Sequence, residues 1–335
     1  MLLQLVDQLA SQLKMSGRER TALAYYSAVR SFRKKLGSDY SGDEMLSAEL
    51  LCLYEKRLIA TGASGNTISF YMRMLRAIYN KGALLGMYPS DIELFSHVYT
   101  GIDSTPKRAV SPDVFGLLQK LDLSSKPNLA FCRDLFLLSF SLQGISFVDL
   151  AYLRKSDLHN SILTYHRAKT GSQIKVAVSD FAMNIINKFA KWNSQSVYLL
   201  PIIKDPEGNV KLQYQSALRT HNRRLKKLAE LADIADNLTS YVARHSWATT
   251  AREEDVPVSL ISHAMGHKSE KVTYIYLADF DQSTLLLANE RVLMAAQLIN
   301  EDEMQWNKQK KAVMADREKN VRHLRSDGQI SGTNV

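Results

Sequence analysis

One segment of this chain has a strand-like hydrophobic pattern, whereas most of the other patterned segments repeat with the period of a helix. Between Ser161 and Val178, apolar and polar residues alternate on both sides of the turn sequence Lys169-Thr170-Gly171. Alternation with period two is typical of strands, and glycine suits the turn that joins them. The sequence therefore predicts a mainly α protein with a small β-hairpin.

Residues 1–100 are predicted to form a small helical domain. Helical patterns cover 1–17, 17–36 and 47–60, and Ser64 can cap a further helix that follows it. Two apolar stripes should form its core: Tyr25, Val29, Phe32 and Leu36, and Ile68, Met72, Leu75 and Tyr79. The opposite face of the last helix carries polar and basic side chains suited to phosphates and base edges: Ser69, Arg73, Arg76 and Asn80.

Residues 101–110 are predicted to link this domain to a second one. The segment is rich in turn residues, loses helical periodicity and carries the basic pair Lys107 and Arg108, which could contact DNA. Helical patterns return over 111–300, where we place the second domain. The tail, 301–335, mixes charges and ends in small polar residues, so we expect it to be disordered.

The charge of the chain favours a polyanionic partner. It holds 43 Lys and Arg against 34 Asp and Glu, a formal net charge of +9. Residues 301–335 hold seven basic and six acidic residues, so the excess belongs to the body. A basic folded surface suits nucleic acid, and charge that serves only solubility is the alternative interpretation.

Neither cysteine pattern nor hydropathy indicates a secreted or membrane protein. Cys52 and Cys132 are far apart and show no disulfide or metal-ligand spacing. No stretch approaches the roughly 20 apolar residues that cross a bilayer. We therefore predict a cytoplasmic protein, associated with the nucleoid when it is bound to DNA.

The stretch from Tyr241 to Tyr276 holds the residue types that transfer a phosphoryl group through a tyrosine. Arg244 begins a helical pattern, and His267 lies nine residues before Tyr276. Breaking a phosphodiester without a metal needs a nucleophile, cationic donors for the non-bridging oxygens and an acid for the leaving oxygen. His263 and His267 are four residues apart, but no carboxylate or cysteine completes a metal site, so no metal is expected.

Five motifs in order resemble the tyrosine recombinase (phage integrase) family. They are NTISFYMRMLRAIYNKG, RDLFLLSFSLQGISFVDLAYLRKSDL, YHRAKTG, YVARHSWAT and GHKSEKVTYIY, and the resemblance runs from about Gly17 to Leu293. The sequence is most similar to the branch that contains DNA invertases and conjugative-transposon integrases of gut anaerobes. The resemblance implies a helical SAM-like core-binding domain and a mostly helical catalytic domain with a small β-hairpin or sheet.

The resemblance also implies roles for individual residues. Tyr276 would be the nucleophile that forms a 3′-phosphotyrosyl link, and Arg244 the second catalytic arginine. Lys169 would protonate the leaving 5′-oxygen, and His267 would donate a hydrogen bond to the scissile phosphate. His245 could approach a phosphate, although packing is the more common role.

The assembly implied by the resemblance is a homo-tetramer on two double-stranded DNA sites. Strands would be exchanged in two steps through a Holliday junction, without a cofactor, and DNA-bending accessory proteins are possible partners. The reaction could be inversion, integration or excision.

Two positions depart from the family pattern. Ser146 stands where the first catalytic arginine is usual, and Tyr241 where a histidine precedes Arg244 by three residues. A phenol can still donate a hydrogen bond to a phosphate. We hypothesise that Arg167 supplies the second guanidinium. It lies two residues from Lys169, so a regular strand would place both side chains on one face. The other candidates are Arg154 and Arg133.

Loss of the first arginine also leaves other functions open. The chain could be a DNA-binding regulator or accessory protein that kept the fold and lost efficient cleavage. A type IB topoisomerase activity is a further alternative.

Overall fold

A computed structural model of the chain describes residues 2–41, 46–104, 108–267, 269–274 and 289. The chain divides into two compact units, Met1–Pro106 and Lys107–Val335. The boundary falls inside the segment that the sequence analysis treats as a linker. The predicted disordered tail, 301–335, lies outside the described residues.

The first unit is helical in its described part. Its helices are α1 (Leu2–Met15), α2 (Glu19–Leu36), α3 (Ala48–Ala60) and α4 (Gly65–Leu84), with a 3-10 turn over Gly37–Asp39 after α2. The side chain of Ser47 accepts a hydrogen bond at the start of α3, and that of Ser64 does the same for α4. Such caps satisfy amide groups that a helix leaves without a partner at its first turn.

The core of the first unit follows the predicted apolar stripes. All eight residues expected to point inward from α2 and α4 are buried. The prediction of an exposed Ser69 was wrong, since this side chain is 2% exposed. Helix α4 packs against the other three helices, so its buried face is wider than a single apolar stripe.

The residues that leave the first unit are tied to the start of α4. The Asn66 side chain donates to the Asp103 carbonyl at 2.9 Å and accepts from the Asp103 amide at 3.0 Å. The Tyr99 hydroxyl donates to the Asp103 carboxylate. A β-carbon added at Gly65 would overlap that carboxylate. The first residues of the predicted linker are thus fixed on this unit.

The described part of the second unit is also mostly helical. Its helices are α5 (Asp113–Lys120), α6 (Pro127–Ser141), α7 (Phe147–Tyr152), α8 (Asp180–Ala190), α9 (Val210–Leu231), α10 (Val242–Glu253), α11 (Val258–Ala264) and α12 (Glu270–Tyr274). Among the residues described, we find no helix with the length and apolar character needed to cross a membrane.

A three-stranded antiparallel sheet interrupts the helices of the second unit. Its strands are β1 (Leu158–His159), β2 (Ile162–His166) and β3 (Gln173–Ala177), in that spatial order. Leu163 pairs with Val176 and Tyr165 pairs with Ile174, and these four side chains are buried. The predicted hairpin is confirmed, and the short strand β1 extends it.

Helix α6 lies at the centre of the second unit and positions the site. Its apolar residues are buried around most of its circumference, as the sequence predicts for a helix that is apolar on all sides. Helix α10 packs against α6, and α11 contacts both α10 and β3. The loops after α6, β2 and α11 therefore meet around the first turns of α10.

Candidate active site

Arg244 is a buried cation at the start of α10. Its side chain is among the largest fully buried ones, and the residue is 1% exposed. Nη1 donates to the carbonyl of Gly144 at 2.7 Å, and Nη2 donates to the carbonyl of Met265 at 2.6 Å. A guanidinium keeps its charge inside a protein, so these carbonyls offset part of the cost of burying it.

Arg167 is a second buried cation that reaches the same turn from the hairpin. It is 3% exposed, and its Nη1 donates to the carbonyl of Gly266 at 2.9 Å. Within the described chain, its Nε has no hydrogen-bond partner and its guanidinium no carboxylate partner. Arg244 and Arg167 thus donate to consecutive carbonyls, those of Met265 and Gly266.

Two glycines allow this close approach. Gly144 and Gly266 have φ angles of +69° and +60°, which favour glycine. A β-carbon at Gly144 would lie 2.9 Å from the Cα of Arg244, and one at Gly266 would lie 3.2 Å from the Cδ of Arg167. Gly144 therefore makes room for Arg244, and Gly266 makes room for Arg167 and for Ile174, whose Cδ1 would lie 2.6 Å from the added carbon. Neither glycine was singled out for this role from the sequence.

The turn between β2 and β3 holds Arg167 and Lys169 in different environments. Strand β2 ends at His166, and the chain turns over the next residues, where the Gly171 amide donates to the Arg167 carbonyl at 2.8 Å. Arg167 is buried and Lys169 is exposed. The expectation that both side chains lie on one face of a strand was wrong, because the strand ends before either residue.

Asp149 joins this turn to the start of α7. Its Oδ1 accepts from the Ala168 amide at 2.8 Å, and its Oδ2 accepts from the Ser146 hydroxyl at 2.6 Å. Ser146 also caps α7, as its side chain accepts from the Asp149 amide. Ser146, which the sequence analysis places where the family pattern has an arginine, is therefore bound to a neighbouring carboxylate. The same carboxylate fixes the turn that carries Arg167.

His267 completes the cluster. Its Nε2 lies 3.2 Å from Nη2 of Arg244, and its Nδ1 lies 2.8 Å from Oγ1 of Thr273. Burial, followed in order of importance by the positive charges of Arg244, Arg167 and Lys169, lowers the pKa of His267 to about 3. The histidine is neutral at physiological pH, and its contacts link α10, α11 and α12.

The cluster brings together three cations and a neutral histidine around one turn. Such donors suit a phosphate group, whose charge grows as a nucleophile attacks it. Among the described residues, no three His, Cys, Asp or Glu side chains are grouped so that they could hold a metal ion.

Comparison with known proteins agrees with this chemistry. Residues 132–283 match the Phage integrase family. A tyrosine recombinase of Thermosipho africanus is 25% identical over 273 residues, which cover 79% of this chain and 90% of that protein. These matches support the tyrosine recombinase family for this chain.

Solved structures show the same fold. A lambda integrase dimer bound to a COC′ core site matches with a TM-score of 0.64 and 15% identity, over 83% of this chain and 79% of that one. A lambda integrase tetramer bound to a Holliday junction matches with a TM-score of 0.63 and 15% identity, over 84% and 79%. These likenesses confirm the predicted mainly α fold with its small sheet.

The other candidate residues of the second unit lie in several places. Tyr241 directly precedes α10 and packs edge-on against His245, with ring centroids 5.4 Å apart. Arg108 is exposed. Two predicted residues, Tyr276 and Lys107, fall outside the described residues. The roles assigned to all of these side chains stay predictions.

The two alternatives to Arg167 are placed less well for a phosphate site. Arg133 donates through Nε to the buried carboxylate of Asp134 at 2.9 Å and through Nη1 to the Leu121 carbonyl at 2.9 Å. Arg154 is exposed. Among the residues that the structure describes, neither arginine side chain is hydrogen-bonded to the turn at Gly266.

In the first unit, Arg73 and Arg76 are exposed on one face of α4, as predicted. Sequence reasoning missed Thr273 and Thr170, whose hydroxyls contact His267 and the Gly266 carbonyl. The sequence offered no periodic signal for either, since both lie in short irregular or single-turn segments. Thr170 directly follows Lys169, and Thr273 lies three residues before Tyr276, and only this proximity to predicted site residues could have indicated them.

Proposed function

We propose that this protein is a site-specific DNA recombinase that cuts and rejoins DNA through Tyr276. The observation that carries the proposal is the pair of buried guanidinium groups, Arg244 and Arg167, on consecutive carbonyls of the turn that holds His267. That turn precedes Tyr276 by nine residues. Membership of the tyrosine recombinase family supports an enzyme that breaks and rejoins DNA.

The proposed reaction is a transesterification. The Tyr276 phenol gives its proton to water as its oxygen attacks the scissile phosphorus, the bond to the 5′-oxygen breaks, and a 3′-phosphotyrosine and a free 5′-hydroxyl result. Arg244 and Arg167 neutralise the non-bridging oxygens, and Lys169, at the exposed tip of the hairpin turn, gives its proton to the leaving oxygen. The phosphotyrosine retains the bond energy, so rejoining needs only attack by a 5′-hydroxyl and no cofactor.

Arg167 is proposed to take the place of the missing first arginine. The Ser146 side chain is bound to Asp149, whereas the Arg167 guanidinium is buried next to the turn that Arg244 also contacts. A buried cation without a carboxylate is costly unless an anion arrives. The scissile phosphate would be that anion, which supports catalysis over simple DNA binding.

The alternative of a regulator without cleavage rested on the loss of the first arginine. A second buried guanidinium within the described cluster removes the reason for that alternative. No observation favours it over cleavage and rejoining.

The remaining assignments concern DNA and assembly. Residues 1–100 are proposed to bind DNA through Arg73 and Arg76, the linker 101–110 through Lys107 and Arg108, and residues 111–300 to form the catalytic domain, where Tyr241 and His245 approach the phosphate. The tetrameric lambda integrase on a Holliday junction, which shares the fold, supports a homo-tetramer that exchanges strands in two steps. DNA-bending proteins could assist, and the place of action would be the nucleoid in the cytoplasm, where the DNA substrate lies.

Covalent complex formation tests the proposal. The full-length protein is used to enrich its preferred sequence from a pool of random duplexes, and that sequence is rebuilt as a suicide duplex with a nick beside the cleavage position. We expect a protein–DNA complex that survives denaturing electrophoresis with the unaltered protein and disappears with Tyr276→Phe.

Tyr274→Phe is the matched control, since Tyr274 lies two residues earlier on α12 and is 55% exposed. This variant should form the complex normally. Loss of the complex in Tyr274→Phe with retention in Tyr276→Phe would move the nucleophile to Tyr274. Absence of any complex with the unaltered protein would contradict the proposed activity.

A further inference from the structure

Thr273 contacts the catalytic cluster from the segment that leads to Tyr276. It lies on α12, is 0% exposed, and stands three residues before Tyr276. Its Oγ1 is 2.8 Å from Nδ1 of His267. This is a direct hydrogen bond between the cluster that would hold the phosphate and the helix that precedes the nucleophile.

The neighbours of His267 determine which ring nitrogen carries its proton. Burial and nearby cations keep the ring neutral, because they lower its pKa to about 3. A neutral imidazole has one N–H. Nε2 faces Nη2 of Arg244, which can only donate, so Nε2 accepts and Nδ1 donates to the Thr273 hydroxyl.

A phosphate in the cluster would require the other tautomer. For His267 to donate to a phosphate oxygen, the proton must be on Nε2, and Nδ1 must then accept a hydrogen bond. A hydroxyl can accept from Nδ1–H in one state and donate to Nδ1 in the other, because its hydrogen rotates. A valine of nearly the same shape could do neither.

We propose that Thr273 is a positioning residue that lets His267 change tautomer when DNA enters the site. In the DNA-free protein, His267 accepts from Arg244. With a phosphate present, Arg244 turns its N–H toward the phosphate, Nδ1 gives a proton to water, Nε2 takes one from water, and the Thr273 hydroxyl rotates to donate. The ring stays neutral throughout, and the step neither consumes nor releases a net proton. This inference rests on the proposed cleavage function.

The test compares Thr273→Val with Thr273→Ser on the suicide duplex. Valine removes the hydroxyl with almost no change in volume, and serine restores it. We expect Thr273→Val to form the covalent complex about tenfold more slowly, the effect of one lost hydrogen bond that leaves a buried nitrogen without a partner. Thr273→Ser should stay within about twofold of the unaltered protein, and all three should bind the duplex equally.

The histidine spectrum provides a readout that a purely structural role would not change. Protein labelled with ¹⁵N-histidine gives the tautomer of each ring from two-bond ¹H–¹⁵N correlations, and His267→Gln assigns the His267 signals among those of the eight histidines. The unaltered protein should show the Nδ1–H form alone and the Nε2–H form with the duplex. In Thr273→Val, part of the His267 signal should remain in the Nδ1–H form after the duplex is added.

A matched control is Thr164→Val, which removes a hydroxyl from β2 at a strand position. It should leave cleavage and the His267 spectrum unchanged. Full cleavage activity in Thr273→Val would overturn the inference, as would equal losses in the valine and serine variants. Failure of the unaltered protein to form a complex would contradict the proposed function instead, so the two failures are distinguishable.

Discussion

The two units of this chain place their arginines in opposite environments. In the first unit, Arg73 and Arg76 lie on an exposed face of α4 above an apolar core. In the second unit, Arg244 and Arg167 are 1% and 3% exposed and donate to backbone carbonyls of one turn. An exposed charge hardly affects the free energy of folding, whereas a buried charge lowers the stability by several kcal/mol unless hydrogen bonds or an opposite charge offset its desolvation.

If each unit binds DNA as proposed, the two units do so by different physical means. An exposed arginine can hold a phosphate of the backbone by attraction through water, with little demand on geometry. A buried arginine has a fixed direction and few water molecules around it, so it can stabilise the charge of a transition state strongly. Burying these two guanidinium groups lowers the stability of the second unit, but it fixes the direction of their N–H groups.

The largest expected effect follows removal of a buried guanidinium. Arg167→Ala should slow covalent complex formation on the suicide duplex by about two orders of magnitude, since it removes a donor at developing charge. Arg167→Lys should recover part of the rate because it keeps a charge but not the planar donor pair. The measurement is single-turnover formation of the denaturation-resistant complex.

His166→Ala is the matched control for Arg167, as His166 is the exposed residue immediately before it. This variant should cleave at nearly the normal rate. If Arg167→Ala cleaves at the normal rate, the buried guanidinium of Arg167 has no catalytic role. Arg154 would then be the next candidate for the second catalytic arginine.

The next effect concerns the backbone that admits Arg244. Gly144→Ala should lower the free energy of unfolding of the second unit by about 1–3 kcal/mol, because alanine is strained at positive φ and its β-carbon would press on the Arg244 backbone. Trp192, Trp247 and Trp306 all belong to the second unit, so tryptophan fluorescence during urea titration monitors that unit.

Gly116→Ala serves as the control within the same unit. Gly116 lies inside α5, and a β-carbon there would meet nothing within 4 Å. Alanine at this helical position should raise the stability by about 0.5–1 kcal/mol. If both variants change the free energy of unfolding by the same amount, the close approach of Gly144 to Arg244 does not contribute to stability.

A further effect depends on pH. His221 is buried against Cys132 and Phe147, and burial lowers its pKa to about 3, with the charge of Arg224 as a lesser cause. Below a pH of about 6.5 the unfolded chain binds a proton at this position and the folded chain does not. The stability of the second unit should therefore fall as pH drops from about 6.5 toward 3, by up to about 1.4 kcal/mol per pH unit for this histidine.

His221→Phe removes this titration and keeps an aromatic ring in place. Its second unit should lose stability less steeply between pH 6.5 and 4.5 than that of the unaltered protein. His97→Gln, at an exposed histidine of the first unit, should leave the slope unchanged. A slope that is the same in His221→Phe would show that His221 titrates normally in the folded protein.

The smallest effect per residue is expected on the exposed face of α4. Replacing both Arg73 and Arg76 with alanine should weaken binding to a random duplex and reduce the slope of log K against log salt by about one for each lost phosphate contact. Fluorescence anisotropy over a range of salt concentrations measures this slope. Arg18→Ala, an exposed arginine before α2, should leave the slope unchanged; an equal reduction there would mean that α4 has no special role.

Sequence reasoning was most successful where the core is apolar. The helices of the first unit and their inward residues followed from periodicity, with Ser69 as the exception, and the cap at Ser64 followed from its residue type. The hairpin of the second unit was also evident from its pattern. In these segments one simple rule, that apolar residues turn inward, decides the local structure.

The site was harder to predict because polar residues are buried there. Nothing in the periodicity indicates that Arg244 and Arg167 donate to adjacent carbonyls, or that Asp149 holds both Ser146 and the hairpin turn. These contacts join residues up to 100 positions apart, so they depend on tertiary packing. Family motifs supplied the candidates, whereas the structure showed which of them meet.

Identification of the residue that becomes covalently attached to DNA shows whether Tyr276 is the nucleophile. The covalent complex formed on the suicide duplex is digested with trypsin and nuclease, and the modified peptide is sequenced by mass spectrometry. We expect a nucleotide joined through its 3′-phosphate to Tyr276. Attachment to any other residue, or through a 5′-phosphate, would contradict this expectation.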